Sequence, residues 1–177
     1  MRRFAFAITM LTLTLAPLAA QSPRTEVERT QAISFSPILA LFEVLQAEYE
    51  RKLGEETTGA LGVGYFSFGD DVGGGEVSWL AVDLKGRFYP NRALEGFAIG
   101  GIIGAARVGF NDDVTGEEDS ATGLAFGVDL NWTWLLGDTQ RWFLATGIGA
   151  KRYYFGEVDD DIPLILPTGR VAFGLAF

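Results

Sequence analysis

The sequence predicts an all-β fold: an eight-stranded antiparallel up-and-down transmembrane β-barrel. Three observations predict it. Several segments alternate strictly, with bulky apolar residues at one parity and small or charged residues at the other, the mark of a strand between two environments. Short and long connections alternate along the chain, as periplasmic turns and outer loops do in such barrels. The last stretch, Arg170-Val-Ala-Phe-Gly-Leu-Ala-Phe177, shows both faces at once: Val171, Phe173, Leu175 and Phe177 against Arg170, Ala172, Gly174 and Ala176.

The chain begins with a charged pair, Arg2 and Arg3, then an apolar run from Phe4 to Leu15 and the small-residue stretch Ala16-Pro-Leu-Ala-Ala20. Residues 1–20 are therefore expected to be a cleaved secretory signal, the apolar part being too short to span a bilayer as a helix. Removing them lowers Lys plus Arg from 14 to 12 against 23 acids, a mature charge of about −11. So acidic a chain is a poor binder of nucleic acid, which needs a basic face. Residues 21–31 are polar and aperiodic and read as a flexible periplasmic lead-in, leaving 32–177 for the barrel. There is no Cys, hence no disulfide or thiolate metal site. There is no His, the commonest general base.

Ile33 to Leu53 is twice the length one membrane strand needs. A split near Glu43 gives strands Ile33–Phe42 and Leu45–Leu53 and brings the total to eight. One bent strand is an alternative. So is an amphipathic helix, because Pro37-Ile-Leu-Ala-Leu-Phe-Glu-Val-Leu also fits a helical period. Thr57 to Phe68 and Leu94 to Phe110 are strand-like and glycine-rich, with ambiguous faces. Arg107 falls on the outer face there unless it lies above the lipid or follows a bulge.

Val77 to Tyr89 puts Leu80, Val82, Leu84 and Phe88 on one face and Asp83, Lys85 and Arg87 on the other. Gly123 to Leu136 is the clearest strand, with Leu124, Phe126, Val128, Leu130, Trp132, Trp134 and Leu136 on one side. Its other side is mostly small, as a narrow barrel interior requires. Trp142 to Phe155 places Trp142, Leu144 and Ile148 outward, and Ala145, Gly147, Gly149, Lys151 and Tyr153 inward. Aromatics gather near strand ends, as interfacial girdles do: Tyr89, Trp132, Trp134, Trp142 and Phe177 toward the short-turn end, and Tyr65, Phe66, Phe68, Trp79, Phe110, Tyr153, Tyr154 and Phe155 toward the long-loop end.

The inner faces then carry Glu48, Glu50, Asp83 and Asp129 against Lys85, Arg87, Lys151 and Arg170. Four acids and four bases in a narrow lumen should pair, giving a plug that excludes ions. A gated pore, or passage of a small or hydrophobic molecule, is the competing reading. The long connections at 70–76, 111–121 and 157–165 hold twelve acids and no Lys or Arg. They are expected to form a solvated acidic rim. Asp112, Asp113, Asp159, Asp160 and Asp161 are the candidates for divalent-cation capture, without the spacing of a known loop motif. No cofactor is implied.

Ser36-Pro-Ile-Leu-Ala-Leu-Phe-Glu-Val-Leu-Gln-Ala-Glu-Tyr-Glu-Arg-Lys-Leu53, followed by Gly62-Val-Gly-Tyr65, resembles the opening of a family of small bacterial outer-membrane β-barrels of unassigned function, with OmpA/OmpX-like architecture. Lys85-Gly-Arg-Phe-Tyr-Pro90 is similar to that family's Arg/Tyr-rich strand end. Phe177 looks like the signal read by the barrel-insertion machinery. The resemblance implies an outer-membrane location, contact with outer-membrane lipid and a monomer, and it lends no catalytic residues. Barrel enzymes that act on lipid A rely on a His beside a Ser, which this chain lacks.

Overall fold

The computed structural model describes residues 28–70, 74–112, 117–155 and 164–177. The signal expected over 1–20 and the lead-in up to residue 27 lie outside the described residues. So do Asp113, Asp159, Asp160 and Asp161, and the side chain of Asp112.

Eight antiparallel strands close into a barrel in chain order. They are β1 (Gln31–Phe35), β2 (Leu45–Lys52), β3 (Thr57–Asp70), β4 (Gly74–Phe88), β5 (Gly96–Asp112), β6 (Glu117–Leu136), β7 (Trp142–Phe155) and β8 (Leu164–Ala176), with one helical turn, α1 (Pro37–Ala40), after β1. The closing pair sets Ala32–Phe35 of β1 against Phe173–Ala176 of β8.

Parity settles the two faces. Val63, Val82, Ile103, Leu124, Phe126, Val128, Ile148 and Phe173 point outward and are exposed. Apolar exposure on this scale, running round every strand, is incompatible with a water-facing surface and fits hydrocarbon. Inward positions are small, as in Ala60, Ala81, Ala98, Ala106, Ala125, Ala145 and Ala172, or charged. The ambiguity at β3 and β5 resolves without a bulge in β5: even residues face in, and Arg107, paired with Leu80 and Thr122, faces out.

Three expectations need correction. Ile33–Phe42 is not one strand. β1 stops at Phe35, and Ser36 is extended (φ −103°, ψ 92°) before Pro37 opens α1. A residue preceding proline is pushed out of helical conformation, and proline at the start of a helix sacrifices no hydrogen bond. The segment therefore holds both alternatives in series, strand and then helix. The break does fall at Glu43, whose φ of 62° turns the chain into β2. The connections expected over 70–76 and 111–121 are largely strand, since β3 reaches Asp70 and β5 and β6 pair out to Asp112 and Glu117. Finally, the outer-end aromatics are not all girdle: Trp79, Tyr153 and Phe155 pack with Ala81, Ala106 and Ala125 inside the barrel. Tyr89, counted with the inner-end girdle, is also fully buried.

At the periplasmic end the described start of the chain is tied down. Arg29 Nη2 donates to the Thr139 carbonyl (2.6 Å), Glu28 pairs with Lys52, and Thr30 N–H donates to the Phe177 carbonyl (3.1 Å).

Candidate functional site

The lumen is filled in three layers. Nearest the periplasm, Leu94 and Phe143, both fully buried, pack with Ala32, Ala145, Ala172 and Ala176. Leu94 belongs to the β4–β5 turn. Its φ of 68° is unfavourable for a branched side chain, and it turns that side chain up into the barrel.

The middle layer is the charged network. The Arg87 guanidinium is its hub. Nη1 donates to Glu48 Oε1 and Glu50 Oε2, both at 2.7 Å, and Nη2 donates to Glu48 Oε2 and Asp129 Oδ2, both at 3.1 Å. Lys85 Nζ donates to Glu48 Oε2 (2.6 Å), and Arg170 Nη2 lies 2.6 Å from Glu48 Oε1 and 3.7 Å from Glu50 Oε2. Thr58 Oγ1 (2.6 Å) and Tyr89 OH (2.8 Å) both donate to Glu50 Oε1. Lys151 pairs with Asp83 apart from this hub. The Arg170 guanidinium also sits over the Phe143 ring, 5.7 Å from its centre, joining this layer to the one below.

All eight charged residues expected in the lumen are therefore there, every one largely buried, six in one network and two in a second pair. Arg170 meets Glu48 and Glu50. Sequence reasoning missed Thr58 and Tyr89. Both share the inward parity of known lumen residues, Ala60 for Thr58 and Arg87 for Tyr89, and that signal could have found them. Small residues make room for the charges. A Cβ on Gly100 would overlap the Asp129 carboxylate. A cavity of about 40 Å³, lined in part by Lys85, Asp129, Asn131, Lys151 and Arg170, is the space left at this level, the size of a few water molecules.

The third layer is aromatic. Trp79 meets Tyr153 edge-on (ring centres 5.0 Å apart) and Phe155 likewise (6.2 Å), and Phe66 stacks on Trp79 from the β3 side (5.9 Å). Phe177 lies on the outer face at the base, its ring exposed. Among the described residues no cluster of acids is arranged to hold a metal ion.

A closed eight-strand barrel with an apolar exterior and a charge-filled interior defines the class: a small barrel of the outer-membrane type. No protein-family model and no curated protein matches the sequence. Solved structures do. Ail, the attachment invasion locus protein of Yersinia pestis, is similar at 15% identity with a TM-score of 0.57, over 85% of this chain and 100% of that one. The same protein in complex with the heparin analogue sucrose octasulfate gives 16% identity and a TM-score of 0.55, over 85% and 100%. The N-terminal β-barrel domain of Pseudomonas aeruginosa OprF gives 16% identity and a TM-score of 0.47, over 84% and 96%. At these identities the Ail likeness shows the fold.

Proposed function

We propose that this chain is a monomeric outer-membrane barrel, sealed to ions, that anchors an acidic surface at the cell exterior for structural or interaction purposes. One observation carries it: the lumen is blocked at three successive levels by an apolar cluster, a charge network and an aromatic cluster. The carboxylates and cations pair across the lumen, and the atoms left without a hydrogen-bond partner, among them Asp83 Oδ1, Asp129 Oδ1 and Arg170 Nη1, are buried rather than set along an open water path. The competing reading of a pore for a small or hydrophobic molecule needs space that these layers occupy.

The interaction role falls to the outer connections, which carry carboxylates without cations. That composition suits a basic partner. It does not suit a sulfated glycan of the kind bound in the Ail complex, which would meet like charge. Planar-bilayer recording tests the sealed lumen. The expected trace is flat at the closed-membrane baseline, and stable ohmic steps from purified refolded protein would overturn the proposal. A heat-modifiability gel tests the barrel: a compact band in unboiled samples is expected, and its absence counts against membrane-barrel folding.

A further inference from the structure

Of the fourteen Lys and Arg residues of the chain, the eleven that are described are distributed very unevenly along the barrel. Four fill the lumen, and the other described ones, apart from two, lie at the periplasmic end. The two exceptions are Arg107 and Arg152, and both face outward. Arg107 is opposite Leu80, and Arg152 is opposite Phe126. Each stands ten residues above an exposed aromatic at the inner rim of its own strand, Phe97 on β5 and Trp142 on β7. At ~3.3 Å per residue and a tilt of ~40°, that is about 25 Å up the wall, the height of the apolar band itself. Both arginines therefore stand where the hydrocarbon ends. An outward arginine is costly at mid-membrane and nearly free at this level.

The surroundings of Arg107 agree. Outward residues one row below Arg107 are Val63, Val82, Ala105 and Leu124, all apolar. One row above are Ser67, Ser78, Gly109 and Ser120. Arg107 Nη2 donates to Ser120 Oγ (3.2 Å). Ser78 Oγ lies only 2.6 Å from where a Cβ on Gly109 would stand, so glycine is what leaves that hydroxyl its place. These groups and Tyr65 line an open notch of about 490 Å³ on the outer wall. Glu76 and Asp119 also line it, accepting bonds from Ser67 and from the Ser120 N–H. Arg152 lies over the ring of Tyr154, 4.7 Å from its centre. No carboxylate among the described side chains pairs with either arginine.

We infer that Arg107 and Arg152 hold the phosphate groups of a phosphorylated glycolipid in the outer leaflet. The notch beside Arg107 takes a phosphosugar headgroup. The guanidinium and serine hydroxyls meet the phosphate, and Glu76 and Asp119 accept from sugar hydroxyls on the solvent side. Arg152, seated over the Tyr154 ring, takes a phosphate on the other side of β6. An end of the molecule crowded with carboxylates would otherwise repel an anionic leaflet, and these two cations are placed where they offset that repulsion.

The inference rests on the membrane reading above, and the test separates the two. The full chain is refolded into phosphatidylcholine vesicles containing either bis-phosphorylated or dephosphorylated lipid A. It is then extracted in mild detergent, and retained lipid A is quantified by native mass spectrometry. Insertion is checked first by the compact band on unboiled gels; its absence refutes the membrane reading and this inference with it. With insertion established, wild type should retain the phosphorylated lipid in clear preference to the dephosphorylated one. At about five-fold per surface cation, R107Q and R152Q should each cut affinity about five-fold, and the pair about 25-fold. R141Q, at the periplasmic end, should change nothing. Equal retention by wild type and the double variant overturns the inference. Displacement of the lipid by inorganic phosphate at matched concentration also overturns it, since the site would then be a solvent-open phosphate site.

Discussion

Replacing Arg87 by Met removes the hub of the lumen network while keeping a side chain of similar length. Its guanidinium is fully buried and is shared by three carboxylates at 3.1 Å or less. Glu48 would keep Lys85 and Arg170, and Glu50 would keep Thr58, Tyr89 and a distant Arg170. Asp129 would lose the one charged partner recorded for it among the described residues. Deleting one partner of a buried ion pair costs ~3–5 kcal/mol, because a charge is left uncompensated. Taking ~4 kcal/mol, the folded-to-unfolded ratio falls about a thousandfold. With a urea slope of ~2 kcal/mol/M, the midpoint falls by roughly 2 M. The assay is urea unfolding of vesicle-inserted protein, followed by tryptophan fluorescence and by gel mobility of unboiled samples. Adding Asp129→Leu restores charge balance and should recover at least half the loss, a coupling that only neighbouring groups show. A midpoint for R87M within about 0.5 M of wild type would refute the reasoning. So would a double variant no more stable than the single one.

Three further outcomes are expected. Gly174→Val drives a side chain into the β1 backbone, where a Cβ would lie 2.7 Å from Ser34 Cα, whereas Gly64→Ala enters open space. The first should destabilise by ~1–3 kcal/mol or more in the same urea assay and the second by under ~1 kcal/mol. Phe177→Ser leaves the main-chain bonds to Thr30 and Gln31 in place, so refolding into detergent should be unchanged while membrane assembly in cells slows. The Glu28–Lys52 tie responds to pH at both ends. The Lys52 hydrogen bond, then its charge, lowers the Glu28 pKa, so that contribution is present above the usual carboxylate range and is lost as pH falls through the lowered value. The bond to Glu28 raises the Lys52 pKa, so its share is lost as pH rises through that raised value. Proteolysis of the lead-in should accordingly be slowest near neutral pH and faster at both extremes, with no change in the rest of the barrel.

The barrel and its charged interior were legible because a two-sided wall writes itself into the sequence at period two. In β6, β7 and β8 nothing competes with that pattern, and β7 occupies the expected Trp142–Phe155 without adjustment. Where glycine and alanine fill both faces, as in β3 and β5, parity carries no contrast until neighbouring strands fix it. The Pro37 region was harder for a different reason. Pro37-Ile-Leu-Ala satisfies a strand and a helix equally by hydropathy, and the proline's restraint on Ser36 decided it. The lumen charges were found by face, but their partners could not be. Which acid meets Arg87 depends on shear, which brings Glu48 of β2, Arg87 of β4 and Asp129 of β6 to one height.

β1 is the shortest strand, and it leaves much of its neighbour uncovered. Above Ala172, the edge of β8 from Leu164 onward pairs only with β7, and no described strand takes its other side. Pro167 sits in that stretch and is tolerated there because an edge position has no ladder bond to lose. The wall is thus a zipper with one unfinished row of teeth, backed by a single helical turn. Breathing of the closed barrel should begin at this row and run downward toward Phe35. Amide exchange in the bilayer should therefore be fastest along β1 and upper β8, and slowest at the long β5–β6 ladder.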